Sequence, residues 1–157
     1  MANEMIEYGL IAALVALLLT AVVSDLRHRI IENWLTIAVA VLAPLYWVAT
    51  GMPVWPDMAI QLSVGLVTFL FFMIFFALGQ FGGGDLKLLG ALGLWLPAVP
   101  MIRTLLVMSI VGGVLTVITY LWHKRSKREG VVETPYGVAI AIAGLLAITQ
   151  RYLNHFV

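Results

Sequence analysis

Residues 5–29 read MIEYGLIAALVALLLTAVVSDLRHR. After Glu7 no charged side chain occurs until Asp25, and Arg27, His28 and Arg29 follow at once. An apolar run on this scale, near the ~20 residues that cross a hydrocarbon core of ~30 Å, predicts a membrane-spanning helix. The acidic residues Glu4 and Glu7 stand where a secretory leader carries basic ones. No small-x-small cleavage pattern precedes Ser24, so the run reads as a span rather than a removable signal.

The rest of the chain repeats this theme. Of 157 residues, 62% are hydrophobic and only 11% are charged, and the mean hydropathy is +1.04. A soluble domain of this size has no use for so much apolar surface. The net charge of +1 gives no reason to expect a nucleic-acid partner. With no cysteine, disulfides, thiolate metal sites and cysteine catalysis are excluded. Six apolar segments are expected, at 5–23, 34–50, 57–78, 86–100, 101–122 and 136–153. The breaks between them are polar or rich in glycine and proline: 24–29, 51–56 with Trp55 at an interface, 79–84, Pro97 with Pro100, and the hydrophilic loop 123–135. The predicted fold is an all-α membrane bundle of six transmembrane helices, forming a single domain over 1–157.

The fourth segment is short, ~22 Å at 1.5 Å per residue. Charge argues that it crosses nevertheless. Six crossings put Arg27, Arg29, Lys87, Lys124, Arg125, Lys127 and Arg128 on one side and leave Arg103 and Arg151 on the other. The positive-inside rule makes the first side cytoplasmic and both termini external. Local thinning of the bilayer accommodates a short span.

Asp25 and Asp85 then fall on the same cytoplasmic side, one closing the first span and one opening the fourth. Carboxylates at membrane-embedded helix ends are costly and are read as functional by default. The bland readings are an interfacial Asp25 paired with Arg27 or Arg29, and an Asp85 that complements a helix dipole. Gly82, Gly83 and Gly84 precede Asp85 and allow close backbone approach, as an extended peptide entering there would need. An ordinary connecting loop is the alternative, and the full phosphate-loop pattern is absent. Lys87 either stabilises the carboxylate or snorkels to the interface. Asn33 reads as a helix N-cap. The basic run 124–128 reads as an orientation signal with affinity for anionic lipid. His28, Glu32 and the two aspartates lack a recognisable ligand spacing, so no metal is expected.

Gly82-Gly83-Gly84-Asp85-Leu86-Lys87-Leu88 resembles the GxGDxKL motif of the type IV prepilin peptidases, which are membrane aspartic proteases. The stretch from Asp25 through Arg27, His28 and Arg29 to Asn33 resembles that family's first aspartate motif, with Glu32 where proline is usual. Thr134-Pro135-Tyr136-Gly137 resembles its C-terminal Pro-Tyr-Gly segment. The three occur in family order, and the short length is similar to the tight-adherence (Flp-type) branch.

The resemblance implies Asp25 and Asp85 as the catalytic pair, with Gly82, Gly83, Gly84 and Lys87 on the substrate side. It implies an endopeptidase that removes the leader of a prepilin after a glycine, at the cytoplasmic face of the bacterial inner membrane. The expected partners are a prepilin substrate, the lipid bilayer and pilus assembly machinery, with no cofactor. The cysteine-rich cytosolic extension of longer members is missing from the sequence, so N-methylation is not expected. Two other classes fit a six-helix bundle with carboxylates. A proton- or cation-translocating protein would show ion flux without cleavage, and a non-catalytic secretion scaffold would tolerate Asp→Asn changes.

Overall fold

The computed structural model describes residues 2–125 and 135–153. The elements are α1 (Ala2–His28), α2 (Asn33–Ala49), α3 (Ala59–Ala77), α4 (Gly83–Gly93), α5 (Ala98–Arg125) and α6 (Tyr136–Leu153). One wide helical turn, Val54–Met58, leads into α3, with Trp55 in an extended conformation inside it. No strand occurs among the described residues.

Three stretches, Asn3–His28, Val54–Ala77 and Ala98–Arg125, are long and apolar enough to cross a membrane by length and composition. The outward faces of the bundle are apolar: Val48, Ile110 and Trp122 are each about 70% exposed (69%, 68% and 72%). Such a surface is matched to hydrocarbon, since soluble monomers keep large exposed apolar patches rare. The chain is a multi-pass membrane protein.

Most segment ends lie within a few residues of expectation, and the sixth helix occupies 136–153 as predicted. The fourth segment differs. The stretch expected at 86–100 divides into α4, a turn over 94–97, and the start of α5. Pro97 falls in that turn. Pro100 lies in the first turn of α5, where its missing N–H costs nothing. The glycine run expected as a loop is itself helical from Gly83 onward.

α4 is the buried centre of the bundle. Leu86, Leu88, Leu89, Ala91 and Leu92 are all buried, and the helix touches α2, α3 and α6. It runs antiparallel to α3 at very close range. A Cβ on Gly93 would lie 2.9 Å from the Gly65 Cα, and one on Gly90 would lie 3.0 Å from Phe69. Small residues at such a crossing let backbones meet where lipid offers no hydrophobic driving force.

A helix that stops inside a bundle strands its last carbonyls. Here side chains take them up. Gln61 Nε2 donates to the carbonyls of Gly93 (2.9 Å) and Leu96 (2.7 Å), and Trp47 Nε1 donates to that of Leu94 (2.9 Å). Trp95 Nε1 in turn donates to Val39 O on α2 at 2.8 Å. Among the described residues, no buried side-chain nitrogen or oxygen lacks a hydrogen-bond partner.

Candidate active site

α1 ends one turn beyond its apolar run. Asp25 therefore sits in the last helical turn, facing inward, with only 5% of its surface exposed. Arg29 takes φ of 56°, the left-handed cap conformation, while its N–H still donates to Asp25 O. Ser24 Oγ donates to Ile30 O at 2.7 Å and ties the reversed chain down. The reversal lays Ile31 against the bundle, where it is buried.

The Asp25 carboxylate meets the first turn of α6. The Val138 backbone N–H donates to Asp25 Oδ2 at 3.1 Å, and the Gly137 amide and Arg29 also act on this carboxylate. First-turn amides have no partner inside their own helix, and the helix dipole favours negative charge there. A chain segment more than a hundred residues away thus caps α6. Gly137 permits it, because a Cβ there would lie 2.8 Å from Asp25 Oδ2 and 2.7 Å from Ile31 Cδ1.

Asp85 stands at a second helix start, that of α4. With Gly82 as the residue before the helix, Asp85 is the third residue of its first turn, and it is half-buried. Its Oδ2 folds back to within 2.6 Å of where a Gly82 Cβ would stand. α4 and α6 touch each other, and Asp85 lies within electrostatic reach of Asp25. Two aspartates from opposite halves of the sequence thus stand at the starts of two touching helices, where Ile31 packs against both Gly84 and Gly137.

The other sequence-predicted residues occupy distinct places. Gly82 is at the surface with ordinary backbone angles (φ −71°, ψ 140°). Gly83 faces Phe76 of α3, and Gly84 is pressed on the Ile31 backbone; a Cβ there would lie 3.1 Å from Ile31 O. None of the three has positive φ, so close packing and not turn geometry accounts for glycine at 83 and 84. Lys87 is exposed and donates from Nζ to Asn33 Oδ1 at 2.8 Å, joining α4 to the start of α2. Asn33 is consequently not the N-cap expected from sequence. Glu32 holds that position without a capping side-chain bond, and its carboxylate accepts from the Trp34 indole. Thr134 and the loop residues 126–134 lie outside the described residues. Among the described residues no group of three or more His, Cys, Asp or Glu is placed to hold a metal.

Sequence reasoning singled out the Pro135-Tyr136-Gly137 segment as a motif but gave Gly137, the Val138 amide and Ile31 no part in the site.

The chain is similar to the prepilin leader peptidase/N-methyltransferase of Xanthomonas campestris pv. campestris, 33% identical over 132 residues. That alignment covers 76% of this chain and 42% of the relative, so the chain spans less than half of the relative's length. No solved structure matches. The pattern of the type IV leader peptidase family matches residues 12–117, which include both aspartates and most of the bundle. By that match and by its relative, the chain belongs to the type IV leader peptidase family.

Proposed function

We propose that the protein is an aspartic endopeptidase that removes the leader of type IV, Flp-like prepilins after a glycine, with Asp25 and Asp85 as its catalytic pair. The observation that carries this reading is the placement of Asp25 against the first turn of α6 and of Asp85 in the first turn of α4, two helices that touch and share the Ile31 contact. Two carboxyl groups within electrostatic reach of each other do not both ionise readily, and a pair with one proton between them is an acid and a base together. The ionised member takes a proton from water as the oxygen attacks the scissile carbonyl. The protonated member hydrogen-bonds the carbonyl oxygen and later gives its proton to the leaving amine. The pair ends with its proton relocated and is reset by exchange with solvent. The helix starts beside the two aspartates favour negative charge in the site. The pair titrates as a unit, so the two roles belong to the dyad.

The cleavage would occur at the cytoplasmic face of the inner membrane, with six crossings and external termini. The placement of positive charge supports this orientation. The path of the fourth segment supports the crossing count: it follows α3 from Phe76, beside Gly83, to Gln61, which bonds Leu96. In this reading Gly82, beside the Asp85 carboxylate, is on the substrate side, while Gly83 and Gly84 seat α4 against Phe76 and Ile31 and Lys87 ties it to Asn33.

The test is direct. Purified protein in bilayer discs is incubated with a Flp-type pilin precursor, and the new N-terminus is mapped. Cleavage after the glycine at the leader junction is expected; an intact precursor would refute the assignment.

A further inference from the structure

We propose that the trough between α2 and α3, floored by α4, is a binding site for one anionic phospholipid of the surrounding bilayer, with its phosphate at Lys87 and an acyl chain laid along Gly90. The site is separate from the two aspartates and does not depend on the catalytic reading.

α2 and α3 scarcely touch, because each packs on α4 instead. The trough left between them has a volume of about 350 Å³. Ile37 and Ala40 form one wall, Leu66 and Phe69 form the other, and Gly90 contributes no side chain to fill the floor. Ile37 and Leu66 are exposed on the outward surface, so the trough opens toward hydrocarbon. Along α4 it extends from Lys87 to Leu94, ~10 Å at 1.5 Å per residue. That length and volume give a mean section of about 35 Å², whereas a helix 10–12 Å across needs about 80 Å² or more. An acyl chain is slim enough to lie in the trough, and a helix is not.

One end of the trough is charged. Among the described residues Lys87 is the one charged side chain in the lining, and the Thr36 hydroxyl, also in it, already donates to Asn33 O at 2.9 Å. Lys87 Nζ donates to the neutral Asn33 Oδ1 at 2.8 Å, which fixes the ammonium without neutralising it. An ammonium has three donors, so two remain for a ligand. Glu32, next to Asn33 in the chain, has its carboxylate on the Trp34 indole. Successive helical residues are turned by ~100°, which places Lys87 ~200° round α4 from Asp85. A phosphate at Lys87 is thereby kept on the face of α4 turned away from the Asp85 carboxylate.

An apolar trough that ends in an uncompensated ammonium matches an anionic phospholipid in both of its parts, hydrocarbon for the trough and phosphate for Lys87. A zwitterionic lipid carries an ammonium of its own beside the phosphate, and its attraction to Lys87 is weaker for that reason. One lysine beside an anionic headgroup contributes about fivefold in affinity.

The parent protein is placed in discs of equal phosphatidylcholine and phosphatidylglycerol, and the lipids it retains on release are counted by native mass spectrometry. One phosphatidylglycerol is expected to be kept in preference to phosphatidylcholine. Lys87→Gln keeps an amide for Asn33 and should weaken retention about fivefold. Arg27→Gln, an equal loss of charge at an exposed position of α1, should leave retention unchanged. Ala40→Phe and Leu66→Trp fill the trough from opposite walls, and each should abolish retention, with thermal melts showing that the variant is folded. The parent should also melt higher in phosphatidylglycerol discs than in phosphatidylcholine discs, since a ligand of the folded state stabilises it. That difference should vanish in the filled variants. Equal retention by Lys87→Gln and Arg27→Gln, retention by a folded filled variant, or no preference for phosphatidylglycerol would each overturn the site. Displacement of the lipid by a pilin precursor, or its loss on dimerisation of the chain, would overturn it too by giving the trough to a peptide.

Discussion

A methyl group on Gly82 would stand 2.6 Å from Asp85 Oδ2, whereas one on Gly84 would meet the Ile31 backbone. Those two collisions predict different phenotypes from the same substitution. A carboxylate tip can swing away at little cost to folding, so Gly82→Ala should lose at least tenfold in kcat with an almost unchanged melting temperature. A backbone cannot swing, so Gly84→Ala should lower both activity and thermal stability. Thermal melts beside initial rates separate the two, and equal melting temperatures would show that Ile31 yields freely. The aspartates carry a sharper expectation. Asp25→Asn or Asp85→Asn should reduce cleavage by a factor of ~10²–10⁴, the usual contribution of a positioned acid or base. In the parent, kcat/KM should pass through a maximum with pH, because the dyad works only with one proton. It falls at low pH as the base is protonated and at high pH as the acid is lost. A plateau on either side would show that only one carboxyl takes part.

Among the elements, α4 depends most on its neighbours. At 11 residues it is short for a membrane helix, and its C-terminal carbonyls are held by Gln61 and Trp47. Gln61→Leu removes two of those bonds and leaves the Gly93 and Leu96 carbonyls unpaired, at ~1–3 kcal/mol for each group that water cannot reach. A clear fall in melting temperature is expected, larger than for Ser63→Ala on the lipid-facing side of the same helix. α4 also shows why sequence reading located some elements and missed others. Apolar length marked α1, α3, α5 and α6, because a span must be long whatever it packs against. Three consecutive glycines normally break a helix, so 82–84 read as a loop. In the bundle the Ile31 backbone presses on Gly84 and the Phe76 ring lies against Gly83, so the close seat of α4 favours residues without side chains there. The two aspartates were legible because they stand in motifs at opposite ends of apolar runs. The Val138 amide that holds one of them was not, since every residue has an amide and only the tertiary fold decides which one is aimed.

At the scale of the whole molecule, orientation decides which compartment the aspartates face. The cysteine-free background makes it measurable with single probes. With Lys124→Cys and Asn3→Cys, a membrane-impermeant thiol reagent applied to intact cells should label position 3 and spare position 124 until the cells are opened. Labelling of position 124 from outside would reverse the proposed topology and move the carboxylate pair to the other face of the bilayer. A span count of five would be revealed by both positions reacting alike.

The Ile31 side chain reaches the wall of Gly137 through its Cδ1, and Asp25 Oδ2 reaches the same wall from beside it. A methyl introduced by Gly137→Ala therefore does two separable kinds of damage, and a double-mutant cycle can pull them apart. Ile31→Val deletes the one carbon that blocks the new methyl from the packing side and leaves the carboxylate where it was. The pair Ile31→Val with Gly137→Ala should accordingly be non-additive in melting temperature, with Ile31→Val partly rescuing Gly137→Ala. In log kcat the same pair should show no rescue, because the methyl still abuts Asp25. Epistasis in stability without epistasis in turnover would mean that one glycine serves two masters, the packing of the bundle and the aim of the Asp25 carboxylate.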